Sequence, residues 1–230
     1  MSIDRRTLLL GTGAAAALTA LPRPTWAADT ADAPGTADRA AKDWTSEHSD
    51  NGWTIDADAV AAFPVEGSDA TVRLHHAAAA VLLHVARRWH YEVAPLHGSG
   101  DVAGHRTDPA VRAAFESNYL SGTAVALHPL QYPLGAGDGL WPHQKRIVRD
   151  ILADCDGVVR WGADLSPAAE CHFQIDVAPR SKALARLTRT FRDRSVKRAG
   201  PRPGAVDDPT APERRAKARR LEQIQVQVTN

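Results

Sequence analysis

Four stretches of the chain combine apolar and polar positions in patterns that predict helices. His75–Val93 contains no Gly or Pro, and its apolar residues recur every three or four positions. Pro142–Asp154 and Ser181–Val196 show the same period, which is typical of amphipathic helices packed on a core. Asp108–Phe115 is predicted to form a shorter helix, because its first residue suits a helix cap and its proline suits the first turn.

Short apolar runs bounded by turn residues predict strands between these helices. They are Ala70–Leu74, the run that follows Gly122 and ends at His128, Val158–Trp161, and His172–Val177. Helices and short strands do not follow a repeating strand-helix-strand order, and the chain has no internal repeat. The pattern therefore predicts a single α+β domain with a small, mostly antiparallel sheet and helices packed on it.

The first 27 residues have the pattern of an export signal. A twin arginine at Arg5 and Arg6 precedes an apolar run from Leu8 to Leu21, and a small-residue cleavage pattern ends at Ala27. The run is shorter than the roughly 20 apolar residues that a membrane span needs. We therefore expect a twin-arginine signal peptide, no stable membrane span, and a secreted protein associated with the cell wall.

Composition divides the rest of the chain into three parts. Residues 28–50 are rich in Ala, Asp, Thr and Gly, which predicts a flexible linker. We assign the domain to residues 51–196. Residues 197–230 are predicted to form a basic, mostly disordered tail with one short helix at 213–223. Arg180–Asn230 carries fourteen Arg or Lys against five Asp or Glu. Such a tail either binds anionic wall polymers through its positive charge or is a solvated extension without a partner. The export signal and the lack of interleaved aromatic residues argue against nucleic-acid binding.

Two cysteines, Cys155 and Cys171, remain after export. An oxidising compartment allows them to form a disulfide, which would stabilise the fold by roughly 3 kcal/mol. Two buried free thiols are an equally good interpretation. Their context does not suggest a cysteine metal site or a nucleophile.

Three motifs, in this order along the chain, resemble one family of wall enzymes. They are G-H-R-T at Gly104–Thr107, S-N-Y-L-S-G-T-A-V-A-L at Ser117–Leu127, and W-G-A-D followed by E-C-H-F-Q-I-D within Trp161–Asp176. The chain is similar here to the VanY-like zinc D-alanyl-D-alanine carboxypeptidases and L-alanyl-D-glutamate endopeptidases, which trim peptidoglycan. The resemblance covers roughly Trp53–Val177.

The resemblance implies a zinc site and a site for peptidoglycan stem peptides, with a degenerate ligand set. Arg106 and Ser117 stand where the family holds the substrate, and His172 stands at the third zinc ligand. Tyr119 replaces the first histidine ligand and Ala126 replaces the aspartate ligand. Two of the three ligands that would lower the pKa of a zinc-bound water are therefore missing.

Nearby residues offer an altered site in their place. Ala169 occupies the position of the family's proton shuttle, and Glu170 follows it, so Glu170 is the candidate catalytic acid-base. Residues two apart on a strand face the same way, which places His128 on the face of the lost aspartate. His128 and His172, completed by His105 or Glu170, are therefore the candidate metal ligands.

Three functions remain compatible with the sequence. The first is a zinc-dependent peptide hydrolase acting on peptidoglycan stem peptides. The second is a non-catalytic module that kept the cleft and recognises the same peptides, since binding requires neither hydroxide nor a proton shuttle. The third is an interaction protein that works through its basic tail.

Overall fold

The computed structural model describes residues 40–198 and 208–229, which lie in one compact unit of α+β architecture. Its eight strands are β1 (Lys42–Asp43), β2 (Val60–Pro64), β3 (Thr71–His75), β4 (Val102–Ala103), β5 (Ala110–Val111), β6 (Ala124–Leu127), β7 (Val159–Trp161) and β8 (His172–Ile175). Its four α-helices are α1 (Ala79–Glu92), α2 (Pro142–Asp154), α3 (Lys182–Arg198) and α4 (Pro212–Thr229). Short 3-10 helices cover Ala57–Ala59, Ala114–Tyr119 and Gly162–Asp164.

An antiparallel sheet in the order β4-β6-β8-β7 forms the centre of the domain. Every residue of β6 and β8 is buried, so both faces of these two strands are covered. On one face Trp89 of α1 meets Phe173 of β8 edge to face, with 5.7 Å between ring centroids. The predicted α+β domain with a small antiparallel sheet is confirmed. Two further antiparallel pairs, β1 with β5 and β2 with β3, lie outside this sheet.

Helix α1 begins at Ala79, four residues later than its hydrophobic pattern predicts. His75 is the last residue of β3, where it pairs with Val60, and its N–H donates to the Gly122 carbonyl at 2.8 Å. Strand pairing therefore takes a residue that periodicity alone assigns to the helix. The predictions for α2 and α3 are confirmed, α2 with both of its predicted ends.

The predicted helix at Asp108–Phe115 is wrong. The Asp108 carboxylate accepts the N–H of Ala110 at 3.0 Å and closes a turn, and β5 then pairs with β1. The Glu116 carboxylate accepts the N–H groups of Arg112 and Ala113 at the start of the 3-10 helix. That helix begins at Ala114, after β5 has ended. Aspartate side chains favour both turns and caps, and here the turn is formed.

The domain begins earlier than residue 51. Residues 42–43 pair with β5, and Ser49 is buried, with its hydroxyl donating to the Ser121 hydroxyl at 2.8 Å. The linker prediction is therefore wrong for this part of 28–50. Residues 28–39 and the predicted signal peptide at 1–27 lie outside the described residues.

The basic C-terminal segment contains a helix of 18 residues rather than the short one predicted, and it packs on α2. Gln225 Nε2 donates to the Val159 carbonyl at 2.9 Å, and Ala218 is buried. The prediction of a mostly disordered tail at 197–230 is therefore wrong for Pro212–Thr229. Residues 199–207 lie outside the described residues.

Both cysteines are buried and neither is in a disulfide. Burial raises the pKa of the Cys171 thiol to about 11 and that of Cys155 further still. The structure therefore favours the second interpretation, two protonated free thiols. No helix of the described ranges is both long and apolar enough to cross a membrane.

A buried ion network joins α1, α2 and α4. Asp150 of α2 is 2% exposed and accepts from Arg88 Nη2 at 2.9 Å and from Arg214 Nε at 2.7 Å. Asp154, one turn later, accepts from Arg88 Nη1 and Arg214 Nη2, both at 2.9 Å. Asp150 is buried and Asp154 is partly buried, and each receives charged donors from two other helices, which offsets the cost of removing it from water.

We expect Asp150→Ala to destabilise the domain strongly, because it leaves two partly or fully buried guanidinium groups short of an acceptor. The free energy of unfolding should fall by about 3 kcal/mol in urea titrations. Asp138→Ala is the control, since Asp138 is fully exposed where it pairs with Lys145, and its loss should leave the free energy of unfolding nearly unchanged. Equal effects of the two substitutions would contradict a stabilising role for the network.

Candidate functional site

A glycine turn sets the entry into β6. Gly122 has a φ of +67°, a conformation that favours glycine, and a Cβ built there would lie 2.7 Å from the backbone nitrogen of His75. Only glycine allows the turn to pass this close to β3. The turn joins the 3-10 helix that carries Tyr119 to the strand that carries Ala126.

The structure brings together the three positions that the resemblance assigns to zinc. The Tyr119 hydroxyl lies 2.7 Å from His172 Nδ1. Ala126 is the direct partner of His172 across the antiparallel β6–β8 pair, so their side chains point to the same face. A tyrosine and a methyl group thus lie beside His172 at the places where a histidine and an aspartate would complete a zinc site.

One backbone N–H sets the direction of the hydrogen bonds around His172. Asn51 N–H donates to Asn118 Oδ1 at 3.1 Å, so Asn118 Nδ2 is the atom that donates to Gln174 Oε1 at 2.9 Å. Gln174 Oε1 also accepts from His172 Nε2 at 2.8 Å, so this nitrogen carries the proton. His172 Nδ1 then has a lone pair, which accepts the Tyr119 O–H. Both ring nitrogens are therefore engaged.

Burial keeps this pair neutral. It lowers the pKa of His172 to about 4 and raises the pKa of Tyr119 well above its usual value. The phenol therefore keeps its proton at neutral pH, and the imidazole accepts that proton in a hydrogen bond without taking it. A protonated phenol is a poor zinc ligand, and it blocks the only lone pair that His172 has for a metal.

His128 does not join His172, so the predicted pair of metal ligands is wrong. Trp89 Nε1 donates to His128 Nδ1 at 3.0 Å, and His128 Nε2 bonds the Pro95 carbonyl at 3.1 Å. Trp89 packs on Phe173, whose side chain leaves β8 on the face opposite that of its neighbour His172. The φ of His128 is +53°, so β6 has ended and the face expected from strand alternation is lost.

Glu170 supports the loop before α2 rather than the His172 cluster. It is fully buried, and its Oε2 accepts the N–H groups of Gly139 and Leu140, both at 2.8 Å. Lys145 Nζ lies 2.9 Å from its Oε1. Oε2 is thus hydrogen-bonded to this loop, and Oε1 is in an ion pair with α2. The structure therefore gives Glu170 an anchoring role in place of the predicted catalytic one.

Ser117 is likewise structural. It is fully buried, its hydroxyl donates to the Ala114 carbonyl at 2.6 Å, and it accepts the Asp50 N–H at 2.8 Å. This serine ties the N-terminal segment to the 3-10 helix. Both bonds lie within the fold, so the hydroxyl is occupied and the predicted substrate contact is not formed by it.

Arg106 is the predicted site residue that stays beside the cluster with a free donor. Its guanidinium lies over the Tyr119 ring, 5.7 Å from the centroid, and its Nη2 donates to the Ala110 carbonyl at 2.8 Å. Its Nε is buried and has no acceptor among the described residues. A buried donor without a partner is uncommon in folded proteins. Arg106 as a whole is only partly buried, so its positive charge remains available to an anionic ligand group.

The residues present do not fit zinc. Among the described residues no three His, Cys, Asp or Glu side chains lie close enough together to hold a metal ion. His105, the other candidate ligand, therefore does not complete a metal site either. Sequence reasoning missed Gln174 and Asn118, which complete the hydrogen bonds of His172. The two-residue spacing of His172 and Gln174 on one strand was the signal that could have found the first of them.

Comparisons with known proteins return no relative. No family model, curated protein or solved structure matches this chain.

We expect His172 to make the stability of the protein depend on pH. Its folded pKa of about 4 is below the ordinary value near 6.5, so between these values the unfolded chain binds a proton that the folded chain does not. The free energy of unfolding should therefore fall by about 3 kcal/mol as the pH drops from 6.5 to 4.

Urea titrations across this range on wild type and on His172→Gln isolate the contribution, because the variant lacks the titrating group. The variant should lose less stability on acidification than the wild type. His97→Gln, at an exposed histidine, is the control and should follow the wild type. Parallel curves for wild type and His172→Gln would show that the imidazole is not held neutral.

Proposed function

We propose that this protein is an exported, non-hydrolytic member of the VanY-like group that binds peptidoglycan stem peptides. The convergence of Tyr119, Ala126 and His172 supports the kinship, because three positions spread over 54 residues come to one place in the order that the motif requires. The fold class, an α+β domain with a small antiparallel sheet, is compatible with that origin.

The hydrogen bond between Tyr119 and His172 carries the proposal. Hydrolysis by such a site requires a metal-activated water, and the lone pair that would bind the metal accepts a phenol proton instead. Ala126 supplies no donor atom, and Ala169, at the position of the proton shuttle, supplies no acid. The side-chain groups that metal binding and proton transfer require are thus absent at separate positions.

Peptide binding survives in this proposal through Arg106. Arg106 is only partly buried, and a guanidinium offers a peptide carboxylate a positive charge with directed N–H donors. The Tyr119 ring lies under this guanidinium, and Tyr119 too is only partly buried. Recognition of a carboxylate at this place needs no metal.

Restoring the two lost ligands should restore metal binding. We expect the wild-type protein to hold less than about 0.1 zinc per chain, and Tyr119→His with Ala126→Asp to hold about one, by elemental analysis after dialysis. The matched control is Tyr119→His with Ala126→Asn, which has the same shape but lacks the carboxylate charge and should bind zinc much more weakly. Thermal melts of each variant establish that it is folded.

Stoichiometric zinc in the wild type, lost on His172→Ala, would overturn the proposal and favour the hydrolase. Failure of the folded double variant to bind zinc would show that the three positions do not form a former metal site. The first outcome tests whether the protein lacks hydrolytic activity, and the second tests whether it is related to the VanY-like group. The two parts of the proposal can therefore fail independently.

Binding to the wall should depend on Arg106 and not on metal. In sedimentation with purified peptidoglycan, Arg106→Ala should weaken binding about tenfold or more, because a charge-assisted hydrogen bond is lost. Arg112→Ala removes an exposed arginine from the same segment and should change binding by less than twofold. A chelator should have no effect. Equal binding by Arg106→Ala and wild type would exclude Arg106 as the recognition residue.

A further inference from the structure

A second cavity, distinct from the Tyr119–His172 cluster, lies between α2 and α4. Its volume is about 770 Å³, and Trp161 of β7 lies in its wall. The charged and titratable residues that line it include His143, Arg146, Arg149, Arg215, Arg219 and Glu222. Two helices thus present basic side chains to one space that is large enough for a ligand of several groups.

Part of the positive charge of α4 attaches the helix to the domain. Arg214 binds Asp150 and Asp154, and Lys217 Nζ lies 2.5 Å from Asp156 Oδ1. These cations point to acids on or just beyond α2. Their charge is neutralised, so docking of the helix accounts for them.

Arg149 is also used within the fold. Its guanidinium lies over the Trp161 ring, 4.8 Å from the centroid, and binds both oxygens of Asp164 at 2.5 and 2.6 Å. Its Nη2 is 3.1 Å from Glu222 Oε1 on α4. Arg149 therefore forms a fixed, neutralised part of the wall.

Three other arginines of the cavity have no such role. Arg146 of α2 and Arg215 and Arg219 of α4 are exposed, and none forms an ion pair with a carboxylate of the described residues. Arg215 and Arg219 are four apart on one helix, so they lie on the same face. Like charges that face one cavity raise its positive potential and attract multivalent anions.

We propose that the α2–α4 cavity binds a ligand that carries several clustered phosphate groups. Three unpaired arginines match more than one anionic group, so a single phosphate would leave charge unneutralised. The guanidinium groups come from two helices, and a tetrahedral phosphate accepts from donors in different planes, whereas a carboxylate offers two oxygens in one plane. Phosphate chemistry therefore fits this arrangement better than carboxylate chemistry.

The probe is sodium tripolyphosphate, titrated calorimetrically into the folded full-length protein at low salt. Orthophosphate and citrate serve as the single-phosphate and tricarboxylate comparisons. We expect tripolyphosphate to bind at least about tenfold more tightly than either, and its affinity to fall steeply with added salt. Equal affinity for citrate, or no preference over orthophosphate, would overturn the proposal.

Two adjacent arginines of α4 give a matched pair of variants. Arg219 lines the cavity, whereas Arg220 is also exposed but is not part of its lining. Arg219→Ala should weaken tripolyphosphate binding about tenfold, and Arg220→Ala by less than twofold, although both remove one positive charge. An equal loss in both variants would mean that general charge attraction, and not this cavity, binds the probe.

Vesicles containing phosphatidylglycerol distinguish the source of the phosphates. Tripolyphosphate binding without vesicle binding indicates a soluble or polymeric phosphate ligand, and Arg219-dependent binding to both indicates a lipid headgroup surface. Either result supports the cavity as a phosphate site, and failure of both probes overturns it. The site shares no residue with the peptide site proposed at Arg106, so each can fail alone.

Discussion

The hydrogen bond from the Tyr119 hydroxyl to His172 Nδ1 occupies the one lone pair through which His172 could have bound a metal. Its direction is not free to reverse, because the chain of donors begins at a backbone N–H, that of Asn51. A backbone N–H can only donate, so the orientation of each amide and the imidazole tautomer follow from it. The chemistry of the central sheet depends on this constraint.

The same hydrogen bonds make the cluster part of the fold. Asn51 and Ser49 reach across from the N-terminal segment to residues of the glycine turn and of β8. Neutral partners suit this buried place, because each polar atom finds a complement and no charge has to be removed from water. The neutral hydrogen bond between Tyr119 and His172 is therefore part of the arrangement that holds the domain together.

A second group of interactions, made by charged side chains, lies at α2 and α4. The acids Asp150 and Asp154 accept arginines from two other helices and bind α4 to the domain. Arg215 and Arg219 of α4 line a cavity and form no ion pair with a carboxylate of the described residues. One helix thus supplies both the attachment and the unpaired charge, which is why the basic composition of the segment alone did not distinguish a docked helix from a loose tail.

Much of the fold could be predicted from local sequence patterns, and the errors of that prediction have a common physical cause. The period of apolar residues located α2 and α3 well, since burial of one face is a local property of a helix. It misplaced the start of α1 because His75 pairs with Val60 in a strand. The short helix predicted at 213–223 is longer in the structure, Pro212–Thr229, and α4 is attached through acids far away in the chain.

The candidate site divides in the same way. From the sequence alone followed the residue types, tyrosine at 119 and alanine at 126, at two positions that the resemblance assigns to zinc ligands. Only the tertiary structure decided what the polar side chains do: His172 accepts from Tyr119, His128 accepts from Trp89, and Arg106 keeps an unpartnered N–H. The reason is that composition and spacing specify which donors and acceptors exist, whereas their partners are set by long-range packing between segments distant in the chain.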